Sequence, residues 1–515
     1  MITNLFLSQS HQLKNLLQTY PFWKPTDFSI HGCRLYHQYF GQSTQTITNQ
    51  TQRDLHLDEV FQLVNFCQTL AGSNYLYHLS HLHENDSREE LVACAQLIDD
   101  HPNTREKLCK ALMEMQADDP SQFFKYLHTI QPKLPRFLRW APLLACLSLI
   151  CVVGGFLFPF LWLMLIPLMI INFGIHFMAK SHHGGLVETL GTISYLSNTL
   201  IEIRKDTQLA EYSKLNDAPN IRYFYSFDFL KSDTDLGSDI GIIWWYIKEV
   251  INVLFLLGVN IANVYHQKIY QQKEGLLDLY QTVSFFDVSL SRTVLSKKAG
   301  VCESQMNENL GLSFVGLTHP LVKNCVSNSM ALKGENIMLS GANMTGKSTF
   351  IRSVGINTLL SQTLGLAFAE SFVHAPMAVY SSMNIKDNIE EQSSYFNEEI
   401  LALKTIIQAE ESKKLILLDE LFKGTNTEDR ILFGSRVLNY LTTENNTILV
   451  STHDLELEEH LNSSFVHQSM QCRITIDDYE FLYTIGEQRK NNQLVAHLFR
   501  KHGLTNLLTN DEITV

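Results

Sequence analysis

The 515-residue sequence has no C-x-x-C pair and no excess of positive charge. Between positions 140 and 179 it has no Asp, Glu, Lys or Arg at all. Each absence excludes something. Nine cysteines, at 33, 67, 94, 109, 146, 151, 302, 325 and 472, form an odd set without close pairs. A disulfide framework is therefore not expected, and reduced thiols facing cytosol are. A net charge of −13 excludes a chain that grips nucleic acid by bulk charge, so any DNA contact would need a local basic patch. The opening residues, MITNLFLSQSHQLKN, lack the basic n-region and long apolar core of a signal peptide. What is there is 45% hydrophobic residues, ample for cores, in a length that calls for two or three domains.

Residues 1–55 are mixed, with aromatic pieces such as Tyr20-Pro21-Phe22-Trp23 between polar runs. From about 57 to 131 the pattern turns helical: Val60, Phe61, Val64, Phe66 and Leu70 suggest one apolar face, and Leu91, Cys94, Leu97 and Ile98 another that Pro102 breaks. The charge-free stretch is 40 residues long, enough for two membrane helices of about 20 residues. Gly154-Gly155 and Pro159 sit where a turn between them would fall. Lys133, Arg136 and Arg139 at one end and Lys180 at the other place both ends on the cytoplasmic side, as an even number of spans requires. A transmembrane hairpin over residues 140–179 is the expectation, set against a very apolar buried helix pair. Residues 185–212 and 240–296 read as helices again. Ile242 to Leu257 is apolar, but Lys248 and Glu249 interrupt it, so it is expected to pack or lie at the interface rather than span. His182-His183 beside His176 could suggest a metal site, but such histidines more often sit at a membrane boundary.

The chemistry is concentrated further on. Ile337, Met338 and Leu339 read as a short buried strand. Gly341, Ala342, Asn343, Met344, Thr345, Gly346, Lys347 and Ser348 fit G-x-x-x-x-G-K-[ST], and Thr349 opens a helix running to about Leu364. The N–H groups of such a loop cradle phosphates at a helix N-terminus. Lys347 would reach the β- and γ-phosphates, and Ser348 would help hold Mg²⁺. Leu415 to Leu418 form a second buried strand delivering Asp419 and Glu420, 72 positions after Lys347, to the edge where α/β sheets bind ligands. Asp419 suits Mg²⁺ coordination through its water shell. Glu420 suits orienting or deprotonating the attacking water. A third strand, Thr447 to Val450, ends in Ser451-Thr452-His453, where His453 can meet the γ-phosphate or be a satisfied loop histidine. Ser393 and Ser394 stand at the N-terminus of a helix carrying Phe396, Ile400, Leu403 and Ile407, as caps or as anion contacts. Arg473 to Ile476 and Phe481 to Ile485 flank Asp477-Asp478 as a hairpin, before a last helix from about Asn492 to Leu508.

This set resembles the ATPase domain of the MutS family of mismatch-repair proteins. GANMTGKST is similar to the family's GPNMGGKST. The stretch from Leu418 to Asp429 is similar to its DE-x-G-R-G-T-S-T-x-D-G, departing at Phe422, Lys423 and Arg430, and Ser451-Thr452-His453 matches [ST]-T-H. The run Gln392-Ser393-Ser394-Tyr395-Phe396 resembles the segment whose serine reaches across a dimer, so the resemblance implies Ser393 as a trans contact to the partner's γ-phosphate. Leu317-Thr318-His319-Pro320-Leu321 with Asn328, and Asp287 to Ser291, resemble the entry to that domain and the end of its core helices. The resemblance implies an ATPase using ATP and Mg²⁺ that dimerises through composite nucleotide sites. Lys347, Glu420 and His453 would be the catalytic groups. The family's Phe-x-Glu mismatch wedge is absent from the first 130 residues, so DNA binding is an open expectation and mismatch reading is not expected. Transporter ATPases also join membrane helices to such a domain, but no LSGGQ lies between Lys347 and Asp419. A membrane-anchored, ATP-driven switch acting on protein or membrane partners is the alternative.

The expected fold is α + α/β. A helical region (1–131, with MutS core-like helices from about 57) precedes a transmembrane hairpin (132–182) and a helical core or lever (183–300). A P-loop NTPase domain of MutS/ABC type (301–515) ends in a dimerisation helix. The expected location is the inner or cytoplasmic membrane, with the ATPase domain in the cytoplasm.

Overall fold

The computed structural model describes residues 14–26, 30–40, 46–113, 121–130, 135–182, 185–213, 239–308, 311–383, 392–423, 425–462, 464–474 and 479–487. Helices come first: α1 (Ile30–Phe40), α2 (Asn49–Asp54), α3 (Leu57–Val64), α4 (Leu70–Ser80), α5 (Arg88–Asp100), α6 (Pro102–Met113) and α7 (Ser121–Thr129). A helical pair follows, α8 (Ala141–Gly154) and α9 (Phe160–His182). Then come α10 (Leu186–Arg204), α11 (Asp239–Phe255), α12 (Leu257–Gln271) and α13 (Lys273–Ser296). Leu276, Leu279, Tyr280, Val283 and Phe286 of α13 are fully buried, at the three-and-four spacing of one apolar face, and that helix packs on α4 and α5.

The single apolar face expected from Val60 to Leu70 is in fact two, because α3 ends at Val64 and α4 begins at Leu70. Asp287 of α13 is the reason. Its buried carboxylate accepts from Gln68 N–H (2.8 Å), Thr69 N–H (2.8 Å) and the Thr69 hydroxyl (2.6 Å). Amides bonded to that carboxylate cannot serve a helix ladder. Thr69 in turn caps α4 by accepting from Gly72 N–H at 3.0 Å. Gly72 is required here: a Cβ would lie 2.2 Å from the Asp287 carboxylate. Burial pushes the Asp287 carboxyl up to about 6, against the pull of these hydrogen bonds.

The turn between α8 and α9 falls at Gly155 to Pro159, where the glycines and proline indicated. Only α9, among the described residues, is by itself long and apolar enough to cross a membrane; α8 is shorter, and the pair α11 and α12, bent by 67° around Leu256, meets that test only as a unit. The base of α8 and α9 is tied to that pair. Asn172 donates to Leu254 O (2.9 Å) and to Ser148 Oγ (3.1 Å), His176 Nε2 lies 3.0 Å from Glu249 Oε1, and Asn263 donates to Leu138 O (3.0 Å). The glutamate that interrupts the apolar run of α11 thus faces a histidine, so His176 is engaged within the chain. His183 lies outside the described residues.

Twelve strands follow among the described residues. β1 (Cys302–Glu303) pairs with β6 (Leu366–Ala367). β2 (Gln305–Met306), β7 (Ser371–His374), β3 (Leu312–Leu317) and β4 (Asn328–Leu332) form a small sheet in that order. The main sheet has the order β12 (Tyr479–Glu487), β11 (Phe465–Ile474), β5 (Asn336–Ser340), β10 (Thr447–Ser451), β9 (Lys414–Asp419), β8 (Ala378–Ser382). All neighbours are parallel except β11 and β12, which form the expected hairpin. Strand periodicity sorts its side chains into two cores. Ile337, Leu339, Leu415, Leu417 and Leu449 join the large core shared with the helical region. Met338, Ile416, Leu418, Ile448 and Val450 face Leu403, Ile406, Leu438 and Leu441 of α15 (Gln392–Gln408) and α16 (Thr427–Leu441). The helix after β5, α14 (Lys347–Leu364), lies in the shared core. At Gly355 a Cβ would stand 2.5 Å from Leu417 Cδ1, so that glycine lets helix and sheet touch. The proposed final helix near 492–508 lies outside the described residues.

Candidate nucleotide site

The loop between β5 and the Lys347–Leu364 helix turns through three left-handed residues, Gly341 (φ 142°), Met344 (φ 67°) and Gly346 (φ 95°). Two are glycines for steric reasons as well: a Cβ at Gly341 would meet Thr345 Oγ1 at 3.1 Å, and one at Gly346 would meet Tyr483 Cδ1 at 3.2 Å. Thr345 is fully buried and ties the loop by donating to Ala342 O at 2.7 Å. The Lys347 ammonium donates to Gly341 O (2.9 Å) and Ala342 O (3.2 Å) and lies 3.4 Å from His453 Nε2. Burial lowers the Lys347 pKa, while Glu420 and Asp419 oppose that shift.

Two neighbouring strands deliver the acidic groups. Asp419, the last residue of β9, accepts from Ser348 Oγ at 2.6 Å on one oxygen and from Ser451 Oγ on the other. Glu420 follows in a left-handed conformation (φ 52°), its N–H bonded to Ser451 O at 3.1 Å. Its carboxylate lies 2.9 Å from Lys423 Nζ and 2.6 Å from His453 Nε2. Burial alone would raise the Glu420 carboxyl, but the Lys423 hydrogen bond and the charges of His453, Lys423 and Lys347 outweigh it and hold the group below the usual glutamate range. His453 is placed by Thr452 N–H, bonded to Leu339 O at 3.1 Å, and by the next residue, Asp454, which pairs through both oxygens with Arg430.

Of these groups, Lys347, Ser348 and Glu420 border a cavity of about 510 Å³, with Asp419 and His453 bonded behind them. Asn343, Met344, Lys347, Ser348, Thr349 and Glu420 line one side, residues 322–326 with Asn328 another, and Met470 with Tyr483 a third. A hydroxyl and a carboxylate side by side are hard oxygen donors, so Ser348 and Asp419 fit a Mg²⁺ ion. Ser393 is the second residue of α15 by its backbone; its side chain lies outside the described residues. The sequence alone had not singled out Glu399, Lys423, Met470 or Tyr483 for the site. Lys423 could have been found as a base three positions after Glu420. Met470 of β11 and Tyr483 of β12 reach the site only through tertiary packing, as the Glu399 carboxylate reaches Phe422 N–H, at 2.6 Å.

The other end of the phosphate-loop helix is held as tightly. Arg88 Nε donates to Ser361 O (2.7 Å), Asn85 to Thr363 O (3.0 Å) and Arg292 Nε to Leu364 O (2.7 Å), and Arg292 also pairs with Glu303. The carbonyls that a helix leaves unsatisfied at its C-terminus are thus taken by side chains of the helical region, two of them cationic and suited to the dipole.

A parallel sheet, a phosphate-cradling loop and a neighbouring strand tipped by two carboxylates define a P-loop nucleotide-binding domain. Residues 337–505 match the family model described as MutS domain V. The chain is 25% identical to human MutS protein homolog 4 over 275 residues, 52% of this chain and 28% of that protein. It is 28% identical to the DNA mismatch repair protein MutS of Aquifex pyrophilus over 268 residues, 50% of this chain and 29% of that protein. It is 26% identical to Endonuclease MutS2 of Thermus thermophilus over 183 residues, 35% of this chain and 24% of that protein. Over residues 337–505 the chain carries a domain of the MutS family, a family of ATPases, and it spans less than a third of the length of each of these relatives.

Proposed function

We propose that this chain is a membrane-anchored MutS-type ATPase whose nucleotide cycle drives a dimer switch. The observation that carries the reading is one cavity lined by Lys347, Ser348 and Glu420, with Asp419 and Ser451 bonded behind Ser348 and His453 against Glu420 and Lys347. Lys347 would leave its loop carbonyls for the β- and γ-phosphates, and the loop N–H groups would cradle the rest. Ser348 and Asp419 would hold Mg²⁺, which when bound neutralises charge developing on the phosphates. Glu420, held ionised by its cationic neighbours, would orient the attacking water rather than take a proton early. His453, touching both Glu420 and Lys347, would sense whether the γ-phosphate is present. Ser393 of a second copy is proposed to complete the site, so that ATP closes the dimer and hydrolysis opens it. The anchor is the α8–α9 pair, whose outward side chains are almost wholly apolar, in a cytoplasmic membrane with the ATPase domain in the cytoplasm.

The names of the relatives make DNA a candidate effector. The test is steady-state ATPase of the detergent-purified chain, with K347A as control, with and without homoduplex and mismatched DNA at two salt concentrations. Turnover absent from both wild type and K347A would overturn the enzyme reading. Turnover raised by DNA in a salt-dependent way would assign a nucleic-acid role. Turnover indifferent to DNA would direct the switch toward protein or membrane partners.

A further inference from the structure

We infer that the α8–α9 pair is a re-entrant wedge whose turn lies inside the hydrocarbon of the bilayer, and not a pair of spans joined on the far side. The inference rests on the membrane reading just proposed and deepens it.

A turn between two spans must emerge into water, and this one is built to avoid it. From Gly154 to Phe160 the sequence is Gly-Gly-Phe-Leu-Phe-Pro-Phe, without a polar side chain. Phe156 and Leu157 are 77% and 78% exposed on the protein. Backbone polar groups in hydrocarbon have no water to bond, and the last four carbonyls of a helix ordinarily depend on it. Here all four are used within the turn. Cys151 O accepts from Gly155 N–H, Val153 O from Phe156 N–H, and Gly154 O from both Leu157 and Phe158 N–H, at 2.8–3.3 Å. Val152 O takes the fourth bond, from the Trp162 indole N–H at 3.4 Å. That ring closes over the turn so nearly that a Cβ on Gly155 would lie 2.0 Å from it. Pro159 has no N–H to satisfy.

The length of the shorter arm points the same way, α9 being long enough to cross. The 14 residues of α8 rise about 21 Å at 1.5 Å each, short of the roughly 30 Å hydrocarbon core. Starting from Arg139 at the headgroups, such an arm carries the turn past the midplane and stops before the opposite face. The polar ties to α11 and α12 all lie away from the turn, at Leu138, Asn172 and His176. The occupant of the exposed apolar face is therefore lipid acyl chain, entered from one side.

The full chain is mixed with phosphatidylcholine–phosphatidylglycerol (3:1) vesicles and floated. Trp162 emission, taken as wild type minus W162F, is read in lipids brominated near the headgroup or near the chain end. A wedge gives strongest quenching by the deep bromines. L157D then lowers the floated fraction at least tenfold, L157M does not, and the detergent ATPase of L157D is unchanged. Strongest quenching by shallow bromines, with L157D floating like wild type, would overturn the wedge in favour of two spans. Failure of the wild-type chain to float, with no quenching at either depth, would overturn the wedge together with the membrane reading beneath it.

Discussion

Phe422 is buried in the core beneath the sheet, yet its backbone sits at φ 58°, a region that costs a bulky residue roughly 1–3 kcal/mol. Its N–H is held by Glu399 Oε1 at 2.6 Å, while Glu399 Oε2 is buried with no hydrogen-bond partner. Burial raises the Glu399 carboxyl, with the Phe422 N–H pulling the other way. The neutral amide of E399Q preserves an acceptor for Phe422, so E399Q should keep turnover within about threefold of wild type. E399A should lower kcat about tenfold with little change in the KM for ATP, roughly the value of one lost charge-assisted hydrogen bond. Comparable loss in both variants would show that the carboxylate's charge, which the amide lacks, is what matters. Glu420 makes a second prediction. E420Q should bind nucleotide normally but turn over at least 100-fold more slowly, within the range for a lost catalytic carboxylate. Because its neighbours hold Glu420 ionised to unusually low pH, the acid limb of kcat should lie below the ordinary glutamate range. K423A removes part of that hold and should move the limb to higher pH, whereas an unmoved limb would assign it to another group.

Elements were legible wherever local pattern and tertiary need agree. The strand ending at Ser340, the helix from Lys347 to Leu364 and the strands carrying Asp419 and Ser451 were readable because β-branched and leucine runs, a glycine loop and a capping Gly365 all state the same structure locally. The break between α3 and α4 was not, because the residue that makes it, Asp287, lies about 220 positions away. The same holds for the cap on the phosphate-loop helix, written in Asn85, Arg88 and Arg292. Asp287 also sets a pH signature for its joint. Its carboxyl is raised from 3.8 to about 6 on folding, so between those values the folded chain binds more protons than the unfolded one. Stability then falls as pH rises through that window. In chemical denaturation, the advantage of wild type over D287N should shrink from about pH 4 to pH 6 and level off above. An advantage that grew with pH would mean the carboxylate is favoured by its three donors outright.

For the whole molecule, the shared core makes helical region and sheet one packed body: Leu55 of the region after α2 lies beside Gly355 and Leu417, and Arg352 donates to Asp54 O at 2.7 Å. The nucleotide site and the helices of that core therefore cannot move independently. R292A, which frees one end of the phosphate-loop helix, should leave the KM for ATP within twofold. It should abolish ATP-dependent change in amide hydrogen exchange along residues 273–296. Equal exchange changes in wild type and R292A would break the connection.

The helix behind Lys347 is a strut about 27 Å long, 18 residues at 1.5 Å each, clamped by arginines at the end remote from phosphate. A strut fixed in that way does not absorb a push. Were ATP to displace the Lys347 end, as proposed, the displacement would pass through Arg292 to α13, and α13 follows directly on α12, which is tied to the foot of the hairpin. If the wedge is seated among acyl chains as proposed, what the bilayer would register is a change of its tilt, and local lipid packing would be both the load on the ATP cycle and a brake on it.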